Sequence, residues 1–110
     1  MPMPKVSKFE LYNDGGFVCD IHAIYTDDNG IQHEACNHEN FPIAQSRTMD
    51  LQAKCEGIFP GATAQLKVWI ALGKDNTYAQ VFQFDPHGPT QKFKISGATL
   101  NNSIQYLGPA

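Results

Sequence analysis

The stretch GFVCDIHAIYTDDNGIQHEACNHEN, Gly16 to Asn40, decides the fold. Its first half alternates. Phe17, Cys19, Ile21, Ala23 and Tyr25 fall on one face of an extended chain, and Val18, Asp20, His22, Ile24 and Thr26 on the other. The apolar set predicts a core face. Asn29-Gly30 then supplies the residues of positive φ that a tight hairpin needs, so residues 31–36 return as a second strand.

Working outward, the same grammar recurs. Turn signals stand at 13–16, 26–30, 59–62, 73–77, 85–89 and 96–102, with short runs rich in Val, Ile, Phe, Tyr and Thr between them. About eight strands are expected, at 5–12, 17–26, 31–36, 46–52, 64–72, 78–85, 91–96 and 102–107. Leu66, Val68, Ile70 and Leu72 are assigned inward, which turns Lys67, Trp69 and Ala71 outward. Phe93 and Ile95 point in, as do Tyr78, Phe82 and Phe84. No ten-residue helical period exists. Leu51 and Cys55, four apart, allow one helical turn. The fold class is therefore all-β: a single domain over residues 1–110, a two-sheet antiparallel sandwich of immunoglobulin-like form.

The chain has 110 residues, a net charge of −3 and 42% hydrophobic residues, as expected of one globular domain. An acidic chain lacks the basic surface that releases phosphate counterions, so nucleic acid is not an expected partner. No apolar run approaches the ~20 residues that span a bilayer. The N-terminus as written has no signal-peptide core, and Cys19, Cys36 and Cys55 are odd in number. Both features point to free thiols in a cytoplasmic protein, with a trimmed secreted form as the alternative.

Chemistry is sparse. His33, Cys36 and His38 form H-x₂-C-x-H, a set of zinc or copper ligand types and the basis of an alternative, metal-site enzyme reading. On a strand, however, His33 and Cys36 point to opposite faces, and closing that site would need a bulge near Ala35. Asp20 and His22, on the facing strand, offer further donors. The expectation is no metal, no cofactor and no catalytic residue. Nucleophile elbows, phosphate-cradling loops and paired catalytic carboxylates are absent from the sequence.

Recognition is the better expectation. Neighbouring strands that run up and down collect the loops at two ends. One end would gather Asn13, Asp14, His38, Glu39, Asn40, Asp75, Asn76 and Asn101, amides and carboxylates suited to sugar hydroxyls. Trp69, flanked by Lys67, is the other candidate, because an outward indole can stack on a sugar or sit at a membrane interface. The expected function is non-enzymatic: binding of a glycan or lipid headgroup through the end loops or the Trp69 face, in a defence or toxin-like role. An edge strand offers a route to homo-oligomers.

The series NDGGFVCDIHAIY, NFPIAQSRTMDL, FPGATAQLKVWI and KFKISGATLNNSI resembles the small β-sandwich family named for up-regulation in long-lived nematodes with reduced insulin-like signalling. Asn13, Phe17, Tyr25, Ser46, Arg47, Thr48, Gly61, Ala62, Leu66, Lys67, Val68, Gly97, Thr99 and Leu100 fit its pattern. Ala98 departs from the threonine the pattern carries there. The resemblance implies a sandwich and no established catalytic residues.

Overall fold

The alternation at Phe17–Tyr25 becomes the middle of a sheet. In the computed structural model, which describes residues 3–110, the strands are β1 (Lys5–Val6), β2 (Lys8–Gly15), β3 (Cys19–Thr26), β4 (Gln32–Cys36), β5 (Ser46–Asp50), β6 (Thr63–Ile70), β7 (Asn76–Thr77), β8 (Phe82–Phe84), β9 (Thr90–Ala98) and β10 (Asn101–Pro109). One helical turn, α1 (Leu51–Lys54), follows β5. The first sheet runs β1-β8-β6-β3-β4, with β7 also paired to β6; the second runs β10-β9-β2-β5.

The β3–β4 hairpin closes as its sequence demands. Gly30 takes φ 77°. Asp27 Oδ1 accepts from Asn29 N–H and Ile31 N–H, both at 2.9 Å. Asp50 caps α1 by accepting from Gln52 N–H at 3.1 Å, which ends β5 two residues before the expected boundary.

The core lies between the sheets. Cys19, Ile21, Ala23 and Tyr25 on β3, and Leu66, Val68 and Ile70 on β6, face Phe9 and Leu11 on β2 and Phe93 and Ile95 on β9. Phe9, Phe82 and Phe93 meet edge to face with centroids 5.8–5.9 Å apart. Such pairs contribute about 0.5–1.5 kcal/mol each beyond their burial.

Four expectations are corrected. The sheets are mixed rather than antiparallel, because β2 pairs parallel with β9 and β1 with β8. Parallel neighbours need a long crossover, and the chain from β3 through β8 supplies one between β2 and β9. The expected strand 5–12 is two strands in two sheets: the chain changes sheet at Ser7, whose hydroxyl donates to Gly88 O at 2.8 Å. Leu72 does not face the core. Strand β6 stops at Ile70, and Leu72 sits wholly exposed in the following turn at φ 56°. The expected strand 78–85 is likewise cut to 82–84, although Tyr78 still packs against the core.

Candidate functional site

The end loops assemble as the strand order requires. Gly16 N–H donates to Gly97 O at 3.0 Å, Ala71 N–H to Val18 O at 2.9 Å, Lys74 N–H to Thr99 O at 2.8 Å and Ala44 N–H to Asn13 O at 2.7 Å. Loops 16–18, 37–45, 71–75 and 99–100 thus form one end of the sandwich. Gly73 and Gly97 allow this: a Cβ on either would run into backbone of the 99–102 segment.

The surface of this end is apolar at its outermost points. Val18 is 39% exposed, Ile43 54%, Leu100 75% and Leu72 100%. Among the described residues, the three other than glycine with positive φ also lie here: His38 at 58°, Ala44 at 70° and Leu72 at 56°. A left-handed conformation costs such residues roughly 1–2 kcal/mol each, and strain of this kind gathers at functional positions.

A cleft of about 510 Å³ opens on the outer face of the first sheet beside this end, lined by Asp20, His22, Cys36, His38, Asn40 and Trp69. Trp69 faces outward from β6 as its alternation requires, opposite Asp20 on β3. Asp20 shares that outward face yet is 2% exposed. The 37–41 loop folds over it through the backbone pair of Cys19 and Phe41. Asp20 Oδ1 accepts from Ile21 N–H at 2.8 Å and Glu39 N–H at 3.3 Å. The Cys36 thiol donates to Asp20 Oδ2 at 3.2 Å, and His38 N–H donates to Cys36 Sγ at 3.3 Å. Burial, more than any neighbour, raises the Cys36 pKa.

His22 pairs with Cys36 across β3 and β4, so the two side chains share a face. His22 Nδ1 lies 2.7 Å from Glu34 Oε2, and Lys67 Nζ 3.0 Å from Glu34 Oε1. These contacts, the His22 bond first, hold the Glu34 carboxyl below its usual range. One donor atom each of Asp20, His22 and Cys36 lies within 4.8 Å of the other two. The registered hairpin brings them together without a bulge. The trio expected from spacing is not assembled. His33 pairs with Tyr25, stacks on its ring at 5.4 Å and reaches Asp27 at 2.7 Å, on the other face of β4.

Other sequence candidates divide. His38, Asn40 and Trp69 meet at the cleft, and Asp75, Asn76 and Asn101 line a separate hollow of about 200 Å³. Asn76 is already committed there to Asn102 Oδ1, at 2.8 Å. Asp14 and Glu39 are exposed on the same end, and Lys67 is held by Glu34. Asn13 is a correction: it is fully buried, its amide donates to Phe17 O at 2.7 Å and Phe41 O at 3.2 Å, and its Oδ1 accepts from Gly15 N–H at 2.9 Å. It ties the loops from inside and is closed to any ligand. The remaining cysteines, Cys19 and Cys55, are unpaired in the core, where burial pushes each thiol up to about 12. Sequence reading missed the exposed aliphatic tips; Leu72 was hidden by a strand pattern that runs two residues beyond the strand.

Fold and site define a small two-sheet β protein with an apolar loop end and an aromatic-walled polar cleft beside it. No protein-family model and no curated protein matches the chain. Among solved structures it is similar to part of pneumolysin, with TM-score 0.50, 13% identity and coverage of 93% of this chain and 23% of that one. It is similar to part of a Gram-negative toxin, with TM-score 0.50, 16% identity and coverage of 92% and 22%. A structure of the membrane-binding domain of pneumolysin aligns over 91% of this chain and 94% of that domain, with TM-score 0.45 and 13% identity. The chain thus spans under a quarter of the full-length toxins' chains, and at these identities the likeness is one of fold.

Proposed function

We propose that the protein is a non-enzymatic recognition module that attaches to a lipid surface by its apolar loop end. Leu72 carries the reading: a large aliphatic side chain, wholly exposed, on a turn that would be less strained with glycine. Val18, Ile43 and Leu100 beside it make a discontinuous apolar tip on one rigid end. Burying a leucine contributes about 1.5–3 kcal/mol, so a few shallow insertions suffice for reversible attachment. The charges at this end are Asp14, Glu39 and Asp75 against Lys74 and Arg47, the last lying over the Phe41 ring. That balance favours a zwitterionic surface over an anionic one. A toxin-like or defence role, and self-association through the edge strand β10, belong to the same proposal.

A second reading rests on Trp69. An indole wall with His38 and Asn40 beside it suits a sugar ring and its hydroxyls. One experiment separates the two: co-sedimentation with phosphatidylcholine vesicles and with glycan-coated beads. Leu72→Asn/Leu100→Asn is expected to lower vesicle affinity at least tenfold with the fold intact, and Trp69→Ala to leave it nearly unchanged. If the double variant binds vesicles like the parent, or the parent does not bind, the lipid reading fails. Bead binding abolished by Trp69→Ala would move recognition to the cleft.

A further inference from the structure

We propose that Asp20, His22 and Cys36 form a three-donor zinc site in the wall of the Trp69 cleft. The proposal stands apart from surface attachment, since vesicle binding through Leu72 and Leu100 does not require it.

The donor set is the first argument. Carboxylate oxygen, imidazole nitrogen and thiolate sulfur are the three protein ligand types of zinc, and a mixed set with a thiolate disfavours magnesium and calcium. Distance is the second. Donors on a tetrahedral zinc lie about 3.3–3.8 Å apart, given bonds of about 2.0–2.3 Å. The three donors here already fall within 4.8 Å of one another, so side-chain rotations of about 1 Å close the site. His22 and Cys36 are directly paired across two hydrogen-bonded strands, which fixes their separation without help from a flexible loop.

The surroundings are the third argument. A metal-binding histidine is oriented by a carboxylate on its other nitrogen. Glu34 occupies His22 Nδ1 at 2.7 Å and leaves Nε2 as the free ring donor. Lys67 backs Glu34 at 3.0 Å, and its own charge is met by Glu34 and Asp75. Asp20 is fixed through Oδ1 by two backbone N–H groups, while its Oδ2 holds the Cys36 thiol proton. The ion takes the place of that proton: the Cys36 S–H bond breaks, one proton leaves to solvent, and sulfur and Oδ2 both turn to zinc. Affinity therefore rises with pH. The fourth position faces the cleft, where His38 and Asn40 stand.

The test uses the full chain, stripped with a chelator and then given zinc alone, followed by gel filtration and elemental analysis. One zinc per chain is expected, with at least a tenfold loss of affinity in Cys36→Ser and in His22→Gln and no change in His33→Ala, which lies on the other face. Cobalt(II) on the parent chain supplies a readout independent of any variant's folding. A thiolate-to-cobalt charge-transfer band is expected, and its absence overturns the proposal. Substoichiometric zinc, retention unchanged in Cys36→Ser, or loss in His33→Ala would also overturn it.

Discussion

The two ends of the sandwich solve the same turning problem in different ways. At the end formed by residues 27–31, 55–62 and 85–89, left-handed backbone falls on glycine: Gly30 at φ 77°, Gly57 at 81° and Gly61 at 97°. Aspartates brace these turns, Asp27 holding Asn29 and Ile31 and Asp85 holding His87 at 2.9 Å. At the other end, left-handed backbone falls on His38, Ala44 and Leu72 as well as Gly97. Both ends expose apolar side chains, Ile31 and Phe59 at the first, but only the second has one exposed completely. One end is built from residues that make turning cheap; the other keeps side chains that make it costly. The proposed attachment to a lipid surface rests on this difference.

The comparison can be broken most forcefully from inside. Asn13→Ala removes the side-chain partners of Phe17 O and Gly15 N–H beneath the strained end and leaves Phe41 O with the Cys19 N–H alone. About 3 kcal/mol of stability should be lost, whereas Asp14→Ala next to it should stay within about 0.5 kcal/mol. Urea midpoints for the two variants decide it. If Asn13→Ala matches Asp14→Ala, Asn13 does not tie the loops from inside.

A smaller effect sharpens the contrast between the turns. Gly30→Ala meets nothing within 4 Å, so its cost is the left-handed backbone alone, about 1 kcal/mol. Leu72→Gly should run the other way. Relief of about 1–2 kcal/mol is offset by glycine's extra chain entropy of about 0.5–1 kcal/mol, leaving a variant about 0.5 kcal/mol more stable and weaker on vesicles. Thermal unfolding of both would show it. A Leu72→Gly variant destabilised by about 1 kcal/mol or more would mean that Leu72 serves the fold.

Acid titration gives the smallest effect. The His22 and Lys67 contacts hold Glu34 below its ordinary value of 4.5. A carboxylate depressed on folding adds stability that is complete above its unfolded value and lost as pH falls through the folded one. Glu34 is 40% exposed, so its share should be under about 1 kcal/mol. At the other end Asp27 is lowered by His33 first and by Ile31 N–H next, and its effect has the same sign. Midpoints measured from about pH 6 to about pH 3 should fall less steeply in Glu34→Gln than in the parent. An equally steep fall would show that the Glu34 contacts add nothing to stability.

Strand content, the β3–β4 hairpin, the inward faces of β3, β6 and β9 and the outward turn of Trp69 were all legible in the sequence. Each follows from a period of two or from Asn-Gly, signals that act over a few residues. The grouping of loops at two ends followed from strand order. Sheet assignment was not legible: residues 5–12 look like one strand, and nothing local says that the chain changes sheet at Ser7 or that β2 lies parallel to β9. The burial of Asp20 and Asn13 was hidden too. Asp20 alternates outward, and only the 37–41 loop, arriving from elsewhere in the chain, covers it. Ligand types could be listed from sequence, yet spacing favoured His33, Cys36 and His38, whereas the register of β3 on β4 gathers Asp20, His22 and Cys36. Local pattern determines which way a side chain leaves its strand; long-range pairing alone decides what it meets there.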